Sequence, residues 1–415
     1  MRSNTFIYIT EFLALLAIVV NSIQFLLFSL VGIEYDPEAG TGLVAIVNVS
    51  CCLYTIAWVV IKEINGKRPV HHVSWPYLLP LVIILLFFVE SAFYNNLSLN
   101  SFAGKQFVFF GIFGIPAIFL ATFIYRYDRF DIVTRNSDII MLLCTLALVL
   151  NLPNMLSSGV GRASIGGSGG HQEIAYSASF CFLINWVIII TGNTRNRFHI
   201  FQRKIWRYLF FLLLPLQALV CFLSGGRGGA LLLILGFLIS IIVFSRHKMK
   251  KPLPWTLLAV SALIFIAITF GGSGEGFGRT FNYIGSDGLD FGADDSSLQR
   301  LNLRQSSYEI IMDSPIIGYG LWGGLAYANF FAHNIFLDVL ISGGVLYLLF
   351  FLLIMKRCYR GCVQMFRNEV SKSVFLAWIL YPCVMLMVSG FYLNSSFFWF
   401  AFIYAYLSSK SVRHK

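Results

Sequence analysis

Charge is scarce in this chain. Only 12% of its 415 residues are Asp, Glu, Lys or Arg, against about 25% in a soluble domain. Acids are the scarcer sign, with 19 Asp and Glu to 30 Lys and Arg. That excludes a water-soluble globular enzyme. The basic residues form no single stripe, so the net charge of +11 does not point to nucleic acid. All eight cysteines lie in apolar runs or, for Cys358 and Cys362, in a basic connection, and no disulfide framework is expected. The first apolar run carries Glu11, Asn21 and Gln24 and has no small-residue cleavage site, so it reads as a retained helix rather than a signal peptide. There is no H-E-x-x-H, and Asp287, Asp290, Asp294 and Asp295 miss the spacing of a calcium loop. Neither a metal nor a cofactor is expected.

Long apolar runs are what the chain has instead. They recur along the whole length, each close to the roughly 20 residues that a bilayer demands of a helix. Twelve spans are predicted: Phe6–Leu30, Leu43–Ile61, Tyr77–Tyr94, Phe107–Tyr125, Ile139–Leu156, Ile174–Ile190, Tyr208–Leu223, Ala230–Phe244, Leu257–Phe270, Ile335–Met355, Val374–Val388 and Phe397–Leu407. The fold class is therefore an all-α polytopic membrane protein, with 1–415 as one integral domain. Alternate connections carry the cations, and Trp75, Trp206 and Trp255 stand on that basic side just before a span. By the positive-inside rule this side is cytoplasmic and holds both termini.

One long connection, 271–333, is expected on the opposite face between the ninth and tenth spans. It opens with a Gly-rich stretch and changes character near Ser296, where a surface helix is predicted over 297–313. Ser296 and Gln299 have capping-box spacing, and Pro315 closes the segment. Arg300, Arg304 and Tyr308 fall at i, i+4 and i+8, which predicts one shared face turned inward over the spans, with Leu298, Leu301, Ile310 and Met312 opposite.

Sorting charge by side isolates the candidate chemistry. Only Lys105, Arg162, Arg227, Arg279, Arg300 and Arg304 lie on the outer side, and five of the six are arginines. Arginine binds phosphate as a planar fork that cannot be neutralised, so this set suggests anion recognition. Arg162 and Arg279 read as ordinary loop cations. Arg227 is different, because SGGRGG is the whole connection between two spans and its glycines let an anion approach the backbone. A tight turn with one snorkelling arginine is the plainer alternative. Among the histidines, His333 alone stands on the outer side at the mouth of a long apolar helix, where its ordinary pKa range suits a general base. The plainer alternative is a cap at the interface, and Asn334 beside it is a plausible N-cap. Glu90 and Asp338 are carboxylates near the outer ends of spans that could line a cavity, although Asp338 in a first helical turn also suits the dipole.

The order of SGGRGG between two spans, RQSSYEIIMDSPIIGYG (304–320) and AHNIFLDVLISGGV (332–345) at a span entrance resembles the bacterial O-antigen polymerase and ligase superfamily. The resemblance implies a GT-C-like, metal-independent glycosyltransferase of the bacterial inner membrane. It also implies an active site on the periplasmic face, where the long loop would lie. Undecaprenyl-pyrophosphate-linked oligosaccharide would be the donor, membrane lipids the surroundings and a chain-length regulator protein a further partner. Arg227, Arg304 and the His333–Asn334 pair match the family's motif positions, with Arg300 joining the pyrophosphate set, His333 as the base, and Tyr308, Asp338 and Glu90 in support. Ligases usually carry a second histidine and an acid where this chain has Phe331 and Ile335, which favours the polymerase branch. The rival class is a lipid-linked oligosaccharide flippase, which shares the composition but should place ionisable groups at the midplane and pair its interrupted helices.

Overall fold

The computed structural model describes residues 2–32, 41–66, 69–71, 82, 101–157, 170–192, 197–244, 284–285, 288–289 and 295–409. Its helices are α1 (Arg2–Leu30), α2 (Thr41–Ile64), α3 (Phe102–Arg126), α4 (Asp131–Leu150), the short α5 (Leu152–Ser157), α6 (His171–Thr191), α7 (Lys204–Leu223), α8 (Arg227–Phe244), α9 (Asp295–Asp313), α10 (Gly323–Ala328), α11 (Ile335–Asn368), α12 (Phe375–Val388) and α13 (Ser396–Ser408). Eight are long and apolar enough to cross a membrane, and α12 and α13 are shorter apolar helices. The chain is thus an all-helical polytopic membrane protein; the one ladder among the described residues pairs Ile284–Gly285 with Gly288–Leu289. Helices cover ten of the twelve predicted spans. Tyr77–Tyr94 (Val82 apart) and Leu257–Phe270, like the candidate residue Glu90, lie outside the described residues.

Helix α6 forms the centre. It is apolar all round, as a helix enclosed on every side must be, and packs against α4, α7, α8 and α12. Two buried indoles donate across the bundle: Trp186 to Ser240 Oγ at 2.7 Å and Trp378 to Ser137 Oγ at 2.9 Å. A ring-on-ring core of Phe180, Trp378, Tyr381 and Phe397 joins α6, α12 and α13.

The basic connections meet at one end of the bundle. Glu11, buried in α1, takes Arg129 at 2.6 Å and Arg135 at 2.8 Å. Arg197 grips Asp138 with two bonds, of 2.8 and 3.1 Å. Lys372 reaches Asp128 at 3.1 Å. Cations far apart in sequence therefore share one face, as their alternation along the chain implied. Asp138 is wholly enclosed and the Arg197 side chain is 4% exposed. Asp138→Ala strands a buried guanidinium, so we expect it to lose about 3–5 kcal/mol. Glu369→Ala, which opens an exposed pair, should lose only about 0–1 kcal/mol. Thermal unfolding in detergent compares them, and equal shifts would mean that Arg197 is held by something other than Asp138.

Helix α11 is not continuous. At Gly343 (φ −146°, ψ 18°) and Gly344 (φ 60°, ψ −160°) the backbone leaves the helix. A break frees carbonyls on its N-terminal side and amides on the other. Here the segment after α9 takes them up: Tyr319 N donates to Ile341 O at 2.9 Å and Gly320 N to Ser342 O at 2.7 Å, while Val345 N donates to Pro315 O at 2.9 Å and Leu346 N to Ile316 O at 3.3 Å. Gly344 answers two demands at once, since its φ suits only glycine comfortably and any Cβ would collide with the Ile316 carbonyl. The two sequence blocks, IIGYG and ISGGV, are one interlocked unit.

Candidate active site

His333 sits at the junction of this unit with the start of α11. Its φ is 52°, a left-handed conformation in which His, Asn and Asp are the commonest non-glycine residues. Two neighbours hold it there. Asn334 caps α11, its side chain accepting from Phe336 N at 3.0 Å and Leu337 N at 3.4 Å. Asp338, 4% exposed, accepts the Ala332 N–H at 2.9 Å with Oδ1. Asp338 is therefore a positioning residue that fixes the loop one step before the histidine. Its Oδ2 is buried with no hydrogen-bond partner. The imidazole lies edge-on to Phe331 at 5.8 Å, and Phe331 stacks on Phe391 at 5.3 Å.

The His333 Nδ1 is buried and likewise has no hydrogen-bond partner. Burial, and after it the positive charge of Arg300, hold the imidazole pKa below its ordinary 6.5. The histidine is thus kept neutral and able to accept a proton.

Arg300 belongs to α9, whose inner side is set by apolar packing. Ile310 and Ile311 form a small cluster with Ala332, Leu337 and Ile341, and Ser307 is fully buried beside them. This corrects the expected face. Positions i, i+4 and i+8 each advance about 40° around a helix of 3.6 residues per turn, so only Arg300 stays near the buried ridge. Arg304 is exposed and Tyr308 is 58% exposed, on the same flank as the exposed Leu301 and Met312, while Ile310, expected opposite, turns inward. The side chain of Leu298 lies outside the described residues.

Arg227 is the first residue of α8 and partly buried. The turn that carries it rests on the N-terminal end of α6, against His171, Gln172 and Ala175. There is no room for a side chain at Gly228, because a Cβ would run into the Tyr176 hydroxyl. That hydroxyl is buried and has no hydrogen-bond partner. Arg300 acts electrostatically on both Tyr176 and His333. His333 and Tyr176 therefore both lie within electrostatic reach of Arg300, and Tyr176 packs against the Arg227 turn at Gly228. Tyr176 escapes sequence reasoning, since a tyrosine inside an apolar span reads as core; only its unpartnered hydroxyl gives it away. Among the described residues no group of three or more His, Cys, Asp or Glu could hold a metal.

An unpaired neutral imidazole, arginine forks and a hydroxyl at one end of a helix bundle can bind a phosphorylated lipid headgroup and take a proton from an alcohol. No curated protein and no solved structure matches the chain. The family model described as O-antigen ligase matches residues 209–352, a segment that contains Arg227, Arg300, Arg304, His333 and Asp338. Over that segment the chain is similar to the O-antigen ligase family, and its expected likeness to the O-antigen polymerase and ligase superfamily is borne out.

Proposed function

We propose that the protein polymerises undecaprenyl-pyrophosphate-linked repeat units of O-antigen or a related polysaccharide at the periplasmic face of a bacterial inner membrane, with both termini cytoplasmic. The observation that supports this is the unpartnered Nδ1 of His333 within electrostatic reach of Arg300, which also acts on the Tyr176 packed against the Arg227 turn, at the end of the bundle away from the ion-paired cations. In the reaction the acceptor hydroxyl oxygen attacks the anomeric carbon of the donor and its proton passes to His333. The bond from that carbon to the pyrophosphate oxygen breaks, and the charge left on undecaprenyl pyrophosphate is met by Arg227 and Arg300, with Arg304 at the rim. Tyr176 can donate its hydroxyl to the same anion. The arginines supply the charge that a metal ion supplies in other glycosyl transfers.

Two observations favour polymerase. Phe331 stands where ligases usually carry a second histidine, and here it is a packing wall for His333. Ile335 stands where they carry an acid, and it is buried at 8% exposure. The second reading, ligase, is favoured by the description of the matched family itself. A flippase is the third. Purified protein given only lipid-linked repeat units separates them: longer lipid-linked glycan is the expected result. Product that appears only when lipid A-core is added would mean ligase, and no glycosidic bond under either condition would remove the enzyme reading.

A further inference from the structure

A cavity of about 630 Å³ runs between α11 and α13, within the roughly 300–1,000 Å³ typical of ligand sites. Its walls are aliphatic and aromatic, among them Phe350, Leu353, Phe398 and Phe402. At its outer end the hydroxyls of Tyr347 and Tyr392 are turned into each other at 3.2 Å, which leaves ring carbon on the wall. At its other end stand Lys356, Arg357 and Arg360.

The geometry points to this cavity as a binding site for one anionic phospholipid, its acyl chain lying between α11 and α13 and its headgroup phosphate held by Lys356, Arg357 and Arg360. Three observations lead there. From Tyr347 to Arg360 the helix rises about 20 Å, enough for an acyl chain that must cross half of a hydrocarbon core about 30 Å thick. The two stretches of α11 on either side of the break, Ile335–Ser342 and Val345–Lys356, rise about 11 and about 17 Å, so the cations fall near the headgroup level opposite the His333 site. Charge complements an anion, since no carboxylate among the described residues pairs with any of the three. Arg357 is also fixed at the rim, donating to the Tyr406 hydroxyl at 2.9 Å, whereas a snorkelling cation would hang free in solvent. The donor proposed above presents its pyrophosphate at the other face, which separates the two lipids.

Native mass spectrometry of the full-length protein, with phosphatidylglycerol and phosphatidylethanolamine of identical chains as probes, tests this. Each cation near an anionic headgroup contributes about fivefold in affinity. Wild type should retain phosphatidylglycerol preferentially, and the triple variant Lys356→Gln, Arg357→Gln, Arg360→Gln should lose that preference by about a hundredfold while unfolding at the same temperature as lipid-free wild type. Leu353→Trp, which fills the cavity from an exposed position, should weaken binding of both lipids. Equal retention of the two probes by wild type, or an unchanged preference in the triple variant, overturns the site. So does displacement of phosphatidylglycerol by undecaprenyl pyrophosphate, which would assign the cavity to the donor's own chain.

Discussion

His333→Asn should fold and bind donor yet turn over about 10²- to 10⁴-fold more slowly than wild type, the usual contribution of a general base. Asparagine is the informative replacement because it tolerates the left-handed backbone that the residue occupies. Alanine there adds a conformational cost of about 1–2 kcal/mol and mixes stability with chemistry. The pH profile gives an independent reading. The base acts as the neutral imidazole, and burial together with Arg300 lowers its pKa. Activity should accordingly rise with pH along an acid limb that lies below 6.5. Arg300→Gln removes a neighbouring positive charge, so the imidazole pKa rises and the limb moves to higher pH, whatever happens to the rate at the plateau. An acid limb that stays in place in Arg300→Gln, or full turnover in His333→Asn, would reject the base.

Arg227→Lys is the second large effect. Lysine keeps the charge but loses the planar two-pronged donor that fits a phosphate, so kcat should fall on the order of 10²- to 10³-fold, the loss seen when one donor to a developing anion is removed. Arg300→Lys should behave similarly, whereas Arg304→Lys should cost far less because that side chain is on the exposed flank of α9. The ranking is the test. Titrating a pyrophosphate-containing lipid against each variant separates binding from chemistry, and an Arg304 variant that is the most damaged of the three would show that the flank, not the ridge, faces substrate.

The spans were legible because their signal is local: Phe6–Leu30 or Ile174–Ile190 is an apolar run of membrane length wherever it sits. The basic end was legible for the same reason, since Arg129, Arg135 and Arg197 announce their side by alternation alone. What packs against what was not. Spacing placed Arg300, Arg304 and Tyr308 on one face, but the orientation of α9 depends on Ile310 and Ile311 finding Ala332 and Leu337, a contact that no local pattern encodes. Gly343 and Gly344 read as interior positions of a span, because a helix break is stable only if another segment supplies hydrogen bonds, and that segment is some 25 residues earlier in the chain. The Tyr176 hydroxyl was hidden likewise, its significance resting on Gly228 rather than on its own surroundings in sequence.

The interlock of 315–320 with the break in α11 has a consequence for biogenesis. Ribosomes make Pro315–Gly320 before α11, so when Ile341 and Ser342 emerge with carbonyls that their own helix will not satisfy, the amides of Tyr319 and Gly320 already exist to receive them. Orphaned backbone groups near hydrocarbon cost several kcal/mol each, and the first turns of α11 can settle only once that earlier segment is in place. The loop that presents His333 is spliced between the two partners, so it closes on itself as they meet. Order of synthesis thereby becomes order of assembly, and the His333 loop takes its shape only after the segment before it.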